Sequence, residues 1–190
     1  MDLSRYDNRD FDRGAPRWKE ALWIAVRAIF FQSPWPWPSA WRAGWLRLFG
    51  ARVGREVTIK AGVNISFPWR LEIGDHVWLG EEASILSLAL VRIESSVCLS
   101  QQAYLCTGSH DYRQETFPLV TRPITVRTGA WIAARVFLGP GVEVGANAVV
   151  SAGSVVFADL PAGCLARGNP AQIVRRSDLS TEVQETPSKV

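Results

Sequence analysis

Branched apolar residues recur at every sixth position over two stretches of the chain. They fall at Ile73, Leu79, Ile85, Val91 and Val97, then at Val126, Ile132, Leu138, Val144, Val150 and Val156. The position four residues further on is usually small, as at Val77, Ala83, Ala89 and Ser95, and at Ala130, Val136, Val142, Ala148 and Ser154. A period of six fits neither the helical period nor simple strand alternation. It marks an all-β solenoid in which each hexapeptide supplies a short strand and a corner. Three hexapeptides complete a triangular coil of about 18 residues, and stacked coils bury a continuous core. The beat starts near Val53, runs through Ile59 and Ile65, and slips by two residues at Phe67-Pro68-Trp69-Arg70. It continues to Ala103, breaks at Thr107-Gly108-Ser109-His110, restarts at Val126 and ends near Ala166. An excursion loop near residues 108–124, with Pro118 and Pro123, fills the gap. Gly74, Gly80, Gly139, Gly145 and Gly153 suit corners that need unusual backbone angles.

Ahead of the repeat the pattern changes. Trp18–Phe31 has helical spacing, with Trp18, Leu22, Ala25 and Ile29 on one face. The run Ser33-Pro34-Trp35-Pro36-Trp37-Pro38 excludes helix, because each proline forces its predecessor into extended backbone. Ser39 is placed to cap a second helix over Ala40–Phe49, with Gly50 as its stop. That helix sets Trp41, Trp45 and Leu48 on one side and Arg42 and Arg47 elsewhere. The chain thus divides into a polar arm and two short helices over 1–50, a repeat domain over 51–176 and a polar tail, expected to be disordered, over 177–190. The arm, residues 1–17, is expected to pack loosely.

The formal net charge of +3 suits a small anionic ligand but is too weak and scattered for nucleic acid. Cys98, Cys106 and Cys164 lack metal-type spacing and read as small buried residues in a reducing compartment. Asp2, Asp7, Asp10 and Asp12 interrupt what would be a basic leader, and Ala21–Phe31 is too short to span a bilayer. The expectation is a soluble cytoplasmic protein. Six tryptophans crowd the first 50 residues: Trp18, Trp23, Trp35, Trp37, Trp41 and Trp45. Two roles stay open for them. They cover the end of the solenoid, which would otherwise expose core and strand edges. Or they form an interfacial surface at the inner face of the cytoplasmic membrane, with Arg27, Arg42 and Arg47 toward anionic headgroups.

Of the two histidines, His76 sits in a regular corner, Ile73-Gly74-Asp75-His76, and reads as an exposed turn residue. His110 sits where the repeat breaks, between Gly108 and Asp111, and is the candidate for chemistry. Asp111 either orients the ring or caps the loop. Ser109 is a poor nucleophile for its neighbour, since adjacent residues on extended chain point in opposite directions.

The runs Trp131-Ile132-Ala133-Ala134-Arg135-Val136-Phe137-Leu138-Gly139-Pro140-Gly141-Val142, Val149–Val156 and Gly168-Asn169-Pro170-Ala171 resemble the hexapeptide-repeat acyltransferases. Within that family, Tyr104-Leu105-Cys106-Thr107-Gly108-Ser109-His110-Asp111-Tyr112 and Leu46–Ala51 are similar to the colanic-acid-type acetyltransferases of bacterial exopolysaccharide pathways. The likeness covers roughly residues 18–176. It implies a left-handed parallel β-helix, a homotrimer with active sites between adjacent subunits, and acetyl-CoA as donor. It implies O-acetylation of a sugar hydroxyl, with His110 as general base; such proton transfer typically contributes 10²–10⁴-fold. By resemblance, Trp131, Ala134 and Ala152 line the pantetheine groove, Arg175 meets a phosphate, and Ser87 stands where relatives often carry an asparagine toward the acceptor. Relatives often carry Thr-Lys where this chain has Phe157-Ala158, which removes one phosphate contact. Solenoid relatives that bind zinc do so through three histidines, which this chain cannot supply, so no metal is expected. Another small alcohol or amine as acceptor, or a catalytically silent scaffold, are the alternatives.

Overall fold

The computed structural model of the chain describes residues 3–9, 11–33 and 35–176. Asp2, Asp10, Pro34 and the tail expected at 177–190 lie outside the described residues.

Residues 52–156 wind into a three-sided parallel solenoid whose short strands stack into three sheets. The first face stacks Arg52–Val53, Leu71–Ile73, Val91–Ile93, Ile124–Val126 and Glu143–Val144. The second stacks Thr58–Ile59, Trp78–Leu79, Cys98–Leu99, Trp131–Ile132, Val149–Val150 and Cys164–Gly168. The third stacks Asn64–Ile65, Ser84–Leu86, Tyr104–Cys106, Phe137–Leu138 and Val155–Val156. Strands this short are marginal alone. They hold because each inward side chain stacks on its counterpart in the next coil: Ile59, Leu79, Leu99, Ile132 and Val150 form one such column and are all fully buried. Full burial of such a side chain is worth about 1.5–3 kcal/mol.

The beat has a second two-residue slip that the sequence does not announce. Ile73 pairs with Ile93, Leu79 with Leu99 and Ile85 with Leu105, so these coils are 20 residues long. Beyond the loop, Ile132 pairs with Val150, an 18-residue coil. The extra residues at Ser87–Leu90 mirror those at Phe67–Arg70 one coil earlier. Val91 and Val97 are buried, but Val91 stacks on Leu71, in the other inward column of its face. Ala89 and Ser95 lie at corners and are only half-buried.

The corner glycines are there mostly for want of room. Gly74, Gly80, Gly139 and Gly145 do not have positive φ; among the five expected, only Gly153 does, at 71°. A Cβ on Gly145 would overlap the backbone nitrogen of Ala162 in the next coil, whereas one on Gly153 would meet open space. Gly145→Ala should therefore cost about 1–3 kcal/mol through overpacking. Gly153→Ala should cost about 1–2 kcal/mol, from its left-handed backbone alone. Thermal unfolding of the two variants checks the order: Gly145→Ala should melt lower. Left-handed corner residues are mostly not glycine at all. His76, φ 57°, is one, exposed and paired with Glu56 at 3.0 Å.

Two helices close the first coil: α1, Arg17–Phe30, and α2, Ser39–Leu48. Trp23, Phe31, Leu46 and Phe49 are buried against the core, and the Trp23 indole donates to the Ile65 carbonyl at 2.8 Å. The more apolar stripe of each helix is not the one that turns inward. On α1, Trp18, Leu22, Ala25 and Ile29 are exposed, while Trp23 and Val26 turn inward. On α2, Trp41 and Leu48 are exposed and Arg42 is buried, 3% exposed. Arg42 donates to the carbonyls of Phe30 at 2.8 Å, Trp37 at 2.9 Å and Ile59 at 3.0 Å, and desolvation pulls its pKa below the ordinary value. Ser39 does not cap its helix. Its hydroxyl donates to the Ile59 carbonyl and accepts from the Ile59 amide, tying α2 to the solenoid. At the far end, Ala171–Arg176 folds back antiparallel onto Cys164–Gly168 and covers the last sheet edge.

Candidate active site

The chain leaves the solenoid after Cys106, at the corner between the third and first faces, and returns at Ile124. Thr107 roots the excursion: its buried hydroxyl donates to the Leu86 carbonyl at 2.6 Å and accepts from the Ala89 amide at 3.0 Å. Gly108–His110 then pairs antiparallel with Leu119–Thr121, opposing His110 to Leu119 and Ser109 to Val120.

His110 is half-buried and held on three sides. Its Nδ1 lies 2.9 Å from the Phe117 carbonyl. A carbonyl only accepts, so Nδ1 carries the proton and donates, which leaves Nε2 of the neutral ring with a free lone pair. The Phe117 ring stacks on the imidazole at 4.3 Å and 3°, and Tyr6 meets it edge-on at 5.8 Å. Phe117 adopts φ 46°, a left-handed backbone uncommon for a bulky side chain. This backbone directs the Phe117 carbonyl at the ring.

Two cavities flank the hairpin. One, about 250 Å³, is lined by Ser109, His110, Val120, Arg122, Pro140 and Phe157. The other, about 550 Å³, lies between the hairpin and the N-terminal arm, against Asp7, Asn8, Asp12, Arg70, Leu119 and Thr121 among others. Residues directly opposite in an antiparallel pair share a face, so His110 and Leu119 share theirs. His110 itself lines the smaller space, and its cross-strand neighbour Leu119 lines the larger. The arm that forms one wall is anchored: Arg5 pairs with Glu115, and Phe11 lies edge-on to Phe67 and under the Arg70 guanidinium.

Asp111 does not reach the imidazole. Its carboxylate accepts from the Gln114 side chain and the Arg113 amide, each at 3.0 Å, and those bonds hold its pKa below the usual carboxylate range. Of the two roles open to it, it takes the capping one, and the Phe117 carbonyl is what meets the ring. Asp111→Asn keeps an acceptor for the Arg113 amide, so kcat should stay within about threefold of the parent, within the range of one neutral hydrogen bond. Steady-state kinetics checks this, and a loss approaching that of a missing base would restore Asp111 to the chemistry.

Ser87 is fully buried. Its hydroxyl donates to the Phe67 carbonyl and accepts from the Phe67 amide, pinning one two-residue corner onto the other. It has no exposed oxygen to offer an acceptor, which corrects the role expected of it. Trp131 is exposed on the second face and donates to Ser100 at 2.9 Å. Ala134 and Ala152 stack in successive corners between the second and third faces, joined where the Gly153 amide donates to the Ala134 carbonyl at 2.9 Å. Arg175 is exposed on the closing strand beside Leu165. Within one chain the third face separates these corners from His110, so the fold does not bring them together.

Nothing local in the sequence marks Phe117, Tyr6, Arg122 or the arm residues as parts of this site. Tyr6 and Asp12 meet the loop across about a hundred residues of chain, and no local pattern signals such a contact. Phe157 was noted only as a departure; here its ring lines the His110 cavity, in space that a Cβ on Gly139 would occupy. Among the described residues no group of three or more His, Cys, Asp or Glu is placed to hold a metal ion.

A scan against protein-family models finds none that matches the chain. Over 175 residues the chain is 41% identical to the Escherichia coli (strain K12) protein named as a colanic acid biosynthesis acetyltransferase, WcaF, covering 92% of this chain and 96% of that one. Among solved structures, the hexapeptide-repeat acetyltransferase VCA0836 of Vibrio cholerae, complexed with acetyl coenzyme A, superposes with a TM-score of 0.77 at 27% identity, over 84% of this chain and 87% of that one. A galactoside acetyltransferase in complex with coenzyme A shares the fold, with a TM-score of 0.78 at 23% identity over 90% of each chain.

Proposed function

Because the chain belongs to the hexapeptide-repeat acyltransferases and, like them, is an acetyl-CoA-dependent acetyltransferase, we propose that it acetylates a sugar hydroxyl of a bacterial exopolysaccharide or related glycan with His110 as general base. The observation that carries the reading is the Nδ1 contact of His110 with the Phe117 carbonyl, which leaves Nε2 available to take a proton. A sugar hydroxyl is a poor nucleophile until that proton leaves. The freed oxygen attacks the thioester carbonyl, and the imidazolium returns the proton to the departing thiolate.

The larger cavity suits the acceptor. Carboxylates at Asp7 and Asp12, the Asn8 amide, the Arg70 guanidinium and the Thr121 hydroxyl offer the mixed donors and acceptors that a polyol requires. The smaller cavity, lined by His110, Arg122 and Phe157, suits the thioester end of the donor. Ala134, Ala152, Trp131 and Arg175 complete the donor site from a neighbouring subunit of a homotrimer. Their separation from His110 within one chain favours such a shared site. The cellular setting is the cytoplasm, where acetyl-CoA is made.

The test offers acetyl-CoA with a panel of free, nucleotide-linked and lipid-linked sugars, small alcohols and amines, and identifies products by mass. We expect an O-acetylated sugar, and Asn8→Ala should raise the acceptor KM by about two- to tenfold while leaving the acetyl-CoA KM unchanged. Transfer to amines alone would overturn the acceptor assignment. For the shared site, mixing inactive His110→Ala subunits with inactive Ala152→Trp subunits should restore activity, since some interfaces then carry neither change. Mixtures that stay inactive would place donor and base in one chain.

A further inference from the structure

The outward side of the two helices is apolar almost throughout. From Trp18 to Ile29 every exposed residue of α1 is Trp, Leu, Ile or Ala. On α2 the exposed residues after Ser39 are apolar or glycine except Arg47. Trp18 is 67% exposed, Trp35 65%, Trp41 55% and Leu48 70%. Aromatic contacts make the surface continuous: Phe30 lies 4.8 Å from Trp37 and 5.0 Å from Trp45, and Trp37 stacks on Trp41 at 5.6 Å. Helix outer faces in soluble domains are ordinarily polar, and a contiguous exposed apolar patch marks an interaction site.

We propose that this surface docks the protein on the interface of an anionic lipid bilayer, with α1 lying in the membrane plane. Chemistry favours that occupant. Tryptophans and aliphatic side chains on one face, with cations at the rim, are what a headgroup boundary accepts. Residues 13–55 hold eight basic residues and one acidic, Glu20, which Arg13 already pairs. Arg17 is exposed on the α1 outer side with no ion pair among the described residues, and Arg47, exposed beside the α2 face, bonds to the carbonyls of Val53 and Gly54. A self-complementary contact between two copies would set those cations against each other with no carboxylate between them. Residues 177–190 are too polar to cover the patch. Among the described residues no helix is long and apolar enough to cross a membrane, and the 14 residues of α1 reach about 21 Å, so the surface lies on the bilayer and does not span it.

The test floats the purified full-length protein with vesicles of phosphatidylglycerol and phosphatidylethanolamine, or of phosphatidylcholine alone, each with and without brominated acyl chains. We expect flotation with the anionic vesicles, weakened by salt, and quenching of tryptophan fluorescence by the brominated lipid. The variant Trp18→Gln/Leu22→Gln/Trp41→Gln should lose at least tenfold in partitioning while keeping its acetyl-transfer rate on a soluble acceptor. Arg17→Glu, which leaves the apolar face intact, should weaken binding to anionic vesicles only. Parent protein that ignores both vesicle types would overturn the proposal, as would equal binding by parent and variants. Sedimentation velocity decides the competing occupant: if the triple variant changes the oligomeric state and the parent does not float, the face is a contact between copies.

Discussion

His110→Ala should lower kcat for acetyl transfer by about 10²–10⁴-fold, with coenzyme A affinity unchanged. The loss is expected in turnover because the proposed general base would act on the acceptor proton, a contact made as the reaction proceeds and not one that holds the donor. Thiol release measured against acetyl-CoA concentration separates the two quantities, and calorimetric titration with coenzyme A checks the affinity. Phe117→Leu is a graded version of the same experiment. It keeps the carbonyl that fixes Nδ1 and removes the ring stacked at 4.3 Å, so the base stays in its tautomer but is less firmly held. Its kcat should fall by less than that of His110→Ala. Parent-like turnover in His110→Ala would remove the histidine from the reaction, and a large rise in the dissociation constant for coenzyme A would make it a binding residue instead.

Arg42→Ala should destabilise the protein by about 4 kcal/mol, because it removes a charged donor from three carbonyls at once, of which Ile59 alone keeps the Ser39 hydroxyl, and empties a buried side-chain site. Those carbonyls belong to the end of α1, to the linker and to the first coil, so one guanidinium joins all three. For a chain of this size the loss corresponds to roughly 10 °C in Tm. Arg42→Lys should recover only part of it, since an ammonium on a thin stem cannot meet three acceptors set around a planar fork. Thermal unfolding of both variants checks the prediction. A melting point within about 2 °C of the parent for Arg42→Ala, less than one kcal/mol on the same scale, would mean that water or neighbouring donors replace the guanidinium.

The Arg42 case also shows where pattern reading stopped. Periodicity places Trp41, Trp45 and Leu48 on one side of α2 and Arg42 on another, and that arrangement is what the helix has. It does not say which side turns inward. The solenoid end presents bare carbonyls as well as apolar core, so the helix that closes it turns a donor toward it and leaves Trp41 and Leu48 outside. The same limit governs the missed slip at Ser87–Leu90. Inward positions in each hexapeptide come in two columns, two residues apart. Inserting two residues exchanges the columns while Ile85, Val91 and Val97 still fall on the beat. Ser87 and Asp111 were read for chemistry and are spent on backbone: one on Phe67, the other on its own loop.

By itself the sequence determined the solenoid, the two helices and the interruption that carries His110, because each rests on local periodicity or on a break in it. Only the tertiary structure decided which helix faces are buried, that Phe117 and Tyr6 enclose the histidine, and that Asp12 and Arg70 share a cavity with the far strand of the loop. Those facts join residues that are distant along the chain, and the stacking of coils, not any nearby run of side chains, sets them side by side.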